Sequence, residues 1–89
     1  RLQSVIEQRI NEDTSGSYTN ALFKKGVNKV AQKVGEEAVE LIIEAIADNR
    51  ERFIYEAADL LYHYLILLKF KDLKLEDIEN ELKCRSVSG

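Results

Sequence analysis

A chain of 89 residues has room for one hydrophobic core, so residues 1–89 are read as a single domain. Hydrophobic residues at 45% against 33% charged exclude a disordered chain, and the lack of proline and tryptophan, with only four glycines, favours long helices over a strand-rich fold. The net charge of -3 is spread over interspersed acids and bases, which argues against a nucleic-acid surface.

The most apolar uncharged run, 60–68, is too short to span a membrane. Cys84 is the only cysteine, which rules out an internal disulfide and a cysteine-rich zinc site. A lone thiol with no leader segment in view is expected of a cytoplasmic protein.

In chain order, Leu2, Val5, Ile6 and Ile10 recur at helical spacing and predict a short first helix over 1–12. Residues 13–16 read as a loop, and Ser17 is placed to cap a second short helix carrying Tyr18, Ala21, Leu22 and Phe23 that stops near Gly26. The segment 13–26 is expected to be the most mobile. A long helix over 27–48 follows, with Val27, Val30, Ala31, Val34, Ala38, Leu41 and Ala45 on one face.

Asp48 and Asn49 break it, with Glu51 three residues after Asp48 as in a capping box. The next helix, 50–71, is apolar nearly all round from Phe53 to Phe70 and is expected to be buried. So short a connection makes the two long helices antiparallel neighbours. A last helix over 75–85 carries Leu75, Ile78 and Leu82, and 86–89 are expected to fray. The expectation is an all-α antiparallel bundle of two long and about three short helices.

The chemistry sits in the acids. At about 100° per residue, Lys29, Lys33, Glu36, Glu37, Glu40 and Glu44 share one sector of the first long helix. Such a face is ordinarily solvated, but Val39 and Ile43 lie off the apolar stripe, and neighbouring glutamates repel unless something positive sits among them.

On the second long helix Asp59 and His63 line up with Arg52 and Glu56 in a narrow polar stripe. A carboxylate on a buried helix must be paired, protonated or bound to metal. Salt bridges to Arg52, Lys29 or Lys33 are the structural alternative. Facing carboxylates outnumber those bases, so a metal site from Glu36, Glu37, Glu40, Glu56 and Asp59 is expected. Oxygen ligands with at most one imidazole favour Mg2+, with Mn2+ next, over zinc or copper. Iron would want a Glu-x-x-His pair on each of two helices, and there is one histidine.

Glu36-Glu37-Ala38-Val39-Glu40 followed by Glu56-Ala57-Ala58-Asp59 resembles the E-E-x-x-E … E-x-x-D signature of the all-α nucleotide pyrophosphohydrolases, the MazG-like superfamily. Ser17-Tyr18-Thr19, Lys25-Gly26, Gln32 to Glu37 and Ala57 to His63 are similar to the phosphoribosyl-ATP pyrophosphatase family of histidine biosynthesis, a likeness running from about Leu2 to Arg85. Lys74 departs from it, standing where a small capping residue is expected.

The resemblance implies magnesium-dependent hydrolysis of phosphoribosyl-ATP to phosphoribosyl-AMP and pyrophosphate. In many organisms the domain is fused to a cyclohydrolase, so this chain is expected to stand alone or to have been cut from such a fusion. Glu37, Glu40, Glu56 and Asp59 are then the first metal ligands, and Glu36 and Glu37 the acids nearest catalysis, with Glu36 a further ligand or the group that orients water. Lys25, Lys29, Lys33 and Tyr18 are candidates to bind substrate, the alternatives being intrahelical ion pairs for Lys29 and Lys33 and plain packing for Tyr18. His63 is expected to hydrogen-bond within the bundle or to support an acid, Gly35 to permit close approach, and Cys84 to be inert.

Apolar surface on both sides of the first long helix predicts a homodimer. The rival readings are a house-cleaning nucleoside triphosphate pyrophosphohydrolase and a non-catalytic helical dimerisation module.

Overall fold

The computed structural model describes residues 4, 5 and 18–88. Ser4 and Val5 are helical; the rest of the expected first helix, the 13–16 loop and the Ser17 cap lie outside the described residues. Among the described residues there are helices and turns and no strand. Four helices can be delimited: α1 (Tyr18–Lys24), α2 (Val27–Ala47), α3 (Arg50–Phe70) and α4 (Leu75–Ser88). None is long and apolar enough to cross a membrane.

Both long helices end within a residue of their expected limits, but the cap between them differs. Asp48 takes a left-handed conformation with φ 60° and closes α2, its backbone N–H reaching the carbonyl of Ala45. Asn49, not Asp48, then starts α3, its side chain accepting from the Arg52 backbone N–H at 3.1 Å. The reason is geometric, because a residue already closing one helix in the left-handed region cannot adopt the extended backbone of an N-cap.

Gly26, at φ 99°, makes the turn into α2 in a conformation that side chains resist. Tyr18–Lys24 is helical, so part of the expected mobile segment is ordered secondary structure. The last helix continues through Ser88 in place of the expected fraying from residue 86. Its start compensates for Lys74: the Asp77 carboxylate accepts from the Lys74 backbone N–H at 2.8 Å, the half of a capping box that does not need a small residue.

The core lies at the end of the α2–α3 hairpin away from its turn. Leu22 from α1, Val30 from α2, and Leu65, Ile66 and Leu68 from α3 are buried, with Phe23, Tyr62, Phe70, Leu75 and Ile78 packed around them. Phe23 and Phe70 stack at 4.3 Å between ring centres.

Toward the turn the same hairpin is uncovered. Val39, Ile42, Ile43 and Ile46 on α2 and Phe53, Ile54, Tyr55 and Leu61 on α3 are all exposed. The expectation that α3 is buried throughout is therefore corrected: one facing helix covers one side only, and among the described residues its first half has no second helix packed on it. The apolar stripe of α2 holds in part: Val30 is buried and Val34, Ala38 and Leu41 are half-buried, but Val27, Ala31 and Ala45 are exposed while Glu37, outside the stripe, is buried. The side of α2 that meets α3 is rotated toward the acids.

Candidate metal centre

The register follows from the antiparallel hairpin. Glu44 on α2 meets Arg52 on α3 at 3.8 Å, Glu40 lies with Glu56, and Glu37 with Asp59 and His63. Each helical turn up one helix is answered by a turn down the other, so the two acidic stripes face one another.

Two groups of potential ligands result: Glu37, Glu40 and Glu56, and Glu37, Asp59 and His63, with ligand atoms in each group within 4.8 Å of one another. Glu37 belongs to both and is buried, as are Glu56 and His63; Asp59 is half-buried and Glu40 exposed.

Arg52 donates to Glu56 Oε2 at 3.1 Å, and Lys33 lies 3.5 Å from Glu37 Oε2. Each cation serves one oxygen. The other oxygens, Glu37 Oε1 and Glu56 Oε1, are buried without a hydrogen-bond partner. Leaving such atoms bare is costly, more so for charged groups.

Burial, then hydrogen bonding and repulsion from Asp59 and Glu40, push the Glu37 carboxyl up despite Lys33. Burial, then contact with Glu40 and Glu37, pushes Glu56 up as well. Like charges crowded into the hairpin interface are what a divalent cation relieves, and carboxylate oxygens with a single imidazole suit a hard ion.

Glu36 stands outside both groups. It is exposed, accepts from Gln32 Nε2 at 2.9 Å, and is held below the ordinary carboxylate range first by that bond, with Lys33 and Lys29 adding to it. Lys33 also reaches Glu36 at 3.8 Å, so the alternative of intrahelical ion pairs is realised at Lys33. Burial works against the Lys33 charge, but Tyr18, Glu37 and Glu36 outweigh it and leave its value raised. Lys29 is half-buried, and Lys25 is exposed at the α1–α2 turn. No atom within 4 Å would meet a side chain at Gly35, so nothing in the described chain uses a close approach there.

A linkage invisible to helical spacing joins α1 to this centre. The Tyr18 hydroxyl lies 2.8 Å from His63 Nε2, and His63 Nδ1 lies 2.7 Å from the Asp59 carbonyl oxygen. Beside it, Thr19 and Tyr62 share a hydrogen bond between their hydroxyls. His63 thus hydrogen-bonds within the bundle, as expected. Its partner is 45 residues away, a pairing that no local periodicity encodes.

Residues 1–86 match the family model described as phosphoribosyl-ATP pyrophosphohydrolase. A phosphoribosyl-ATP pyrophosphatase of Clostridium acetobutylicum is 52% identical over 86 residues, covering 97% of this chain and 78% of that protein. One from Pyrobaculum calidifontis is 53% identical over 85 residues, covering 96% and 90%. The histidine biosynthesis bifunctional protein HisIE of Bacteroides thetaiotaomicron is 53% identical over 87 residues, which cover 98% of this chain and 43% of that longer protein.

Proposed function

The chain belongs to the phosphoribosyl-ATP pyrophosphohydrolase family, and from that premise we propose that its facing acidic stripes hold magnesium for the hydrolysis of phosphoribosyl-ATP to phosphoribosyl-AMP and pyrophosphate. It is a hydrolase of histidine biosynthesis. The observation that carries the metal reading is the pair of buried, partnerless oxygens, Glu37 Oε1 and Glu56 Oε1, on opposite helices.

Glu37, Glu40, Glu56 and Asp59 are the residues to hold the ion, Mg2+ in preference to Mn2+. The ion supplies charge neutralisation at phosphate oxygens and a more acidic bound water. Arg52 and Lys33 fix Glu56 and Glu37 by one oxygen each and leave the other free to bind. Glu36, outside both ligand groups, suits the role of orienting the attacking water better than that of a ligand. Lys33 and Lys29 are placed to meet phosphate, Lys25 is the more peripheral candidate, and Tyr18 borders the centre from α1. Phosphoryl transfer of this kind is positioning and electrostatics, so no covalent nucleophile is required.

A homodimer belongs to the same proposal. The uncovered Val39, Ile42, Ile43 and Ile46 adjoin the long-helix hairpin, which also carries an apolar groove of about 270 Å3 lined by Leu41, Ala57, Leu60, Leu61 and Tyr64. A cytoplasmic location follows from the biosynthetic role and the lone thiol.

The deciding experiment offers the purified chain phosphoribosyl-ATP and a panel of ordinary nucleoside triphosphates with magnesium. Higher kcat/KM on phosphoribosyl-ATP is expected; faster turnover of plain triphosphates would transfer the site to a house-cleaning pyrophosphohydrolase.

A further inference from the structure

His63 is 2% exposed, and its two ring nitrogens have different duties. A carbonyl oxygen only accepts, so the Nδ1 facing Asp59 carries the proton. In the neutral ring Nε2 then accepts, and the Tyr18 hydroxyl donates to it. The Tyr18 ring meets His63 edge-on at 5.8 Å and lies nearly parallel to Tyr62 at 6.1 Å. Even so, Tyr18 remains 52% exposed. One face is backed by Tyr62 and the hydroxyl is tethered, which leaves an aromatic surface open beside Lys33, Asp59 and Glu37.

Packing on Tyr62 and His63 leaves half of that ring exposed. A fixed, half-exposed aromatic at the rim of an anionic centre is suited to a nucleotide, whose base or sugar needs an apolar wall while its phosphates lie at the ion and lysines. Neither the Asp59 turn nor α1 can shift without disturbing the His63 bonds, so the wall keeps a set position relative to the acids.

We infer that His63 is a positioning residue for substrate, acting through Tyr18 by tethering the Tyr18 ring to the Asp59 turn so that its open face receives the nucleotide. The inference rests on the nucleotide-hydrolase reading but not on which nucleotide is taken.

The test compares His63→Leu, His63→Gln, Tyr18→Phe and the double variant Tyr18→Phe/His63→Leu. KM and kcat are measured on phosphoribosyl-ATP, and binding of phosphoribosyl-AMP by calorimetry. His63→Leu and Tyr18→Phe should each raise KM and weaken product binding roughly fivefold, the scale of one hydrogen bond, with kcat within about twofold. The double variant should be no worse than either single one, because both remove the same bond. His63→Gln, whose amide oxygen can accept from Tyr18, should recover most of the loss.

Unchanged KM in Tyr18→Phe, additive effects, or losses confined to kcat would overturn the inference. Tyr18→Phe leaves His63 packed, so its result stands even where His63→Leu loosens the fold. Should the wild-type chain prefer a plain triphosphate, the substrate reading alone fails, and the same variants are scored on that triphosphate and its monophosphate.

Discussion

Arg52 holds one oxygen of Glu56 at 3.1 Å while the other oxygen of the same carboxylate is buried without a partner. The pair is half of an arrangement, since the guanidinium steadies Glu56 while a carboxylate oxygen of Glu56 lies within 4.8 Å of one from each of Glu37 and Glu40. Arg52→Gln removes that counter-charge and should lower the Tm of the metal-free chain. It should also enlarge the rise in Tm produced by saturating magnesium, because the ion then answers a larger repulsion. Equal magnesium-induced shifts in variant and wild type would show that Glu56 does not sense the ion.

Glu37 is shared by both ligand groups, so its neutral isostere should separate stability from function. Glu37→Gln removes a buried charge that is pushed toward protonation by burial and by Asp59. The metal-free variant should melt higher than wild type, while kcat/KM falls by roughly 100-fold or more with helicity retained. Circular dichroism and steady-state turnover check the two halves.

The same crowding sets a pH dependence. Glu37 and Glu56 have folded values above the ordinary 4.5, so in the window above 4.5 the folded chain binds more protons than the unfolded one. Their contribution is fully present below the unfolded value and lost as pH rises through the folded values. Glu36, held low by Gln32, works in the opposite sense, its contribution being lost only as pH falls below 4.5. In chelator, the Tm of the wild-type chain should therefore fall as pH rises above the ordinary 4.5 of these carboxyls, and magnesium should flatten that slope. A slope that survives in Glu37→Gln/Glu56→Gln would assign it to other groups.

The uncovered apolar surface makes a prediction about assembly. Ile46 is 82% exposed and Ile42 57% exposed, values at which a charged replacement costs the isolated chain little. Ile42→Glu/Ile46→Glu should convert a dimer to a monomer in light scattering at micromolar concentration while far-ultraviolet dichroism keeps its helical shape. Ile66→Ala, at a fully buried position, should instead cost about 2–5 kcal/mol in denaturant unfolding.

Much of this was legible in the sequence because helical spacing is local. The breaks at Gly26 and at Asp48–Asn49, and the stripes containing Glu37, Glu40, Glu56 and Asp59, are set by near neighbours in the chain. What spacing misjudged was the centre of the inward side of α2. Val30 of the apolar stripe is buried and Val34, Ala38 and Leu41 are half-buried, but Val27, Ala31 and Ala45 are exposed while Glu37, outside the stripe, is buried. A polar centre inside the two-helix interface turns the buried side toward the acids and leaves one edge of the apolar stripe outward. The cap was misread because Asp48 and Asn49 are both good caps, and only the left-handed backbone of Asp48 decides between them. The Tyr18–His63 bond is a tertiary event with no periodic signal.

The facing acids are proposed to work as a divalent-cation centre for release of pyrophosphate from phosphoribosyl-ATP. The most direct measurement is pyrophosphate release as a function of magnesium concentration for the wild type, Glu40→Gln and Asp59→Asn, with calorimetric magnesium binding alongside. Release should vanish in chelator and saturate with magnesium for the wild type, and both variants should lose turnover and magnesium affinity while remaining helical. Magnesium-independent release, or unchanged magnesium affinity in both variants, would contradict the account.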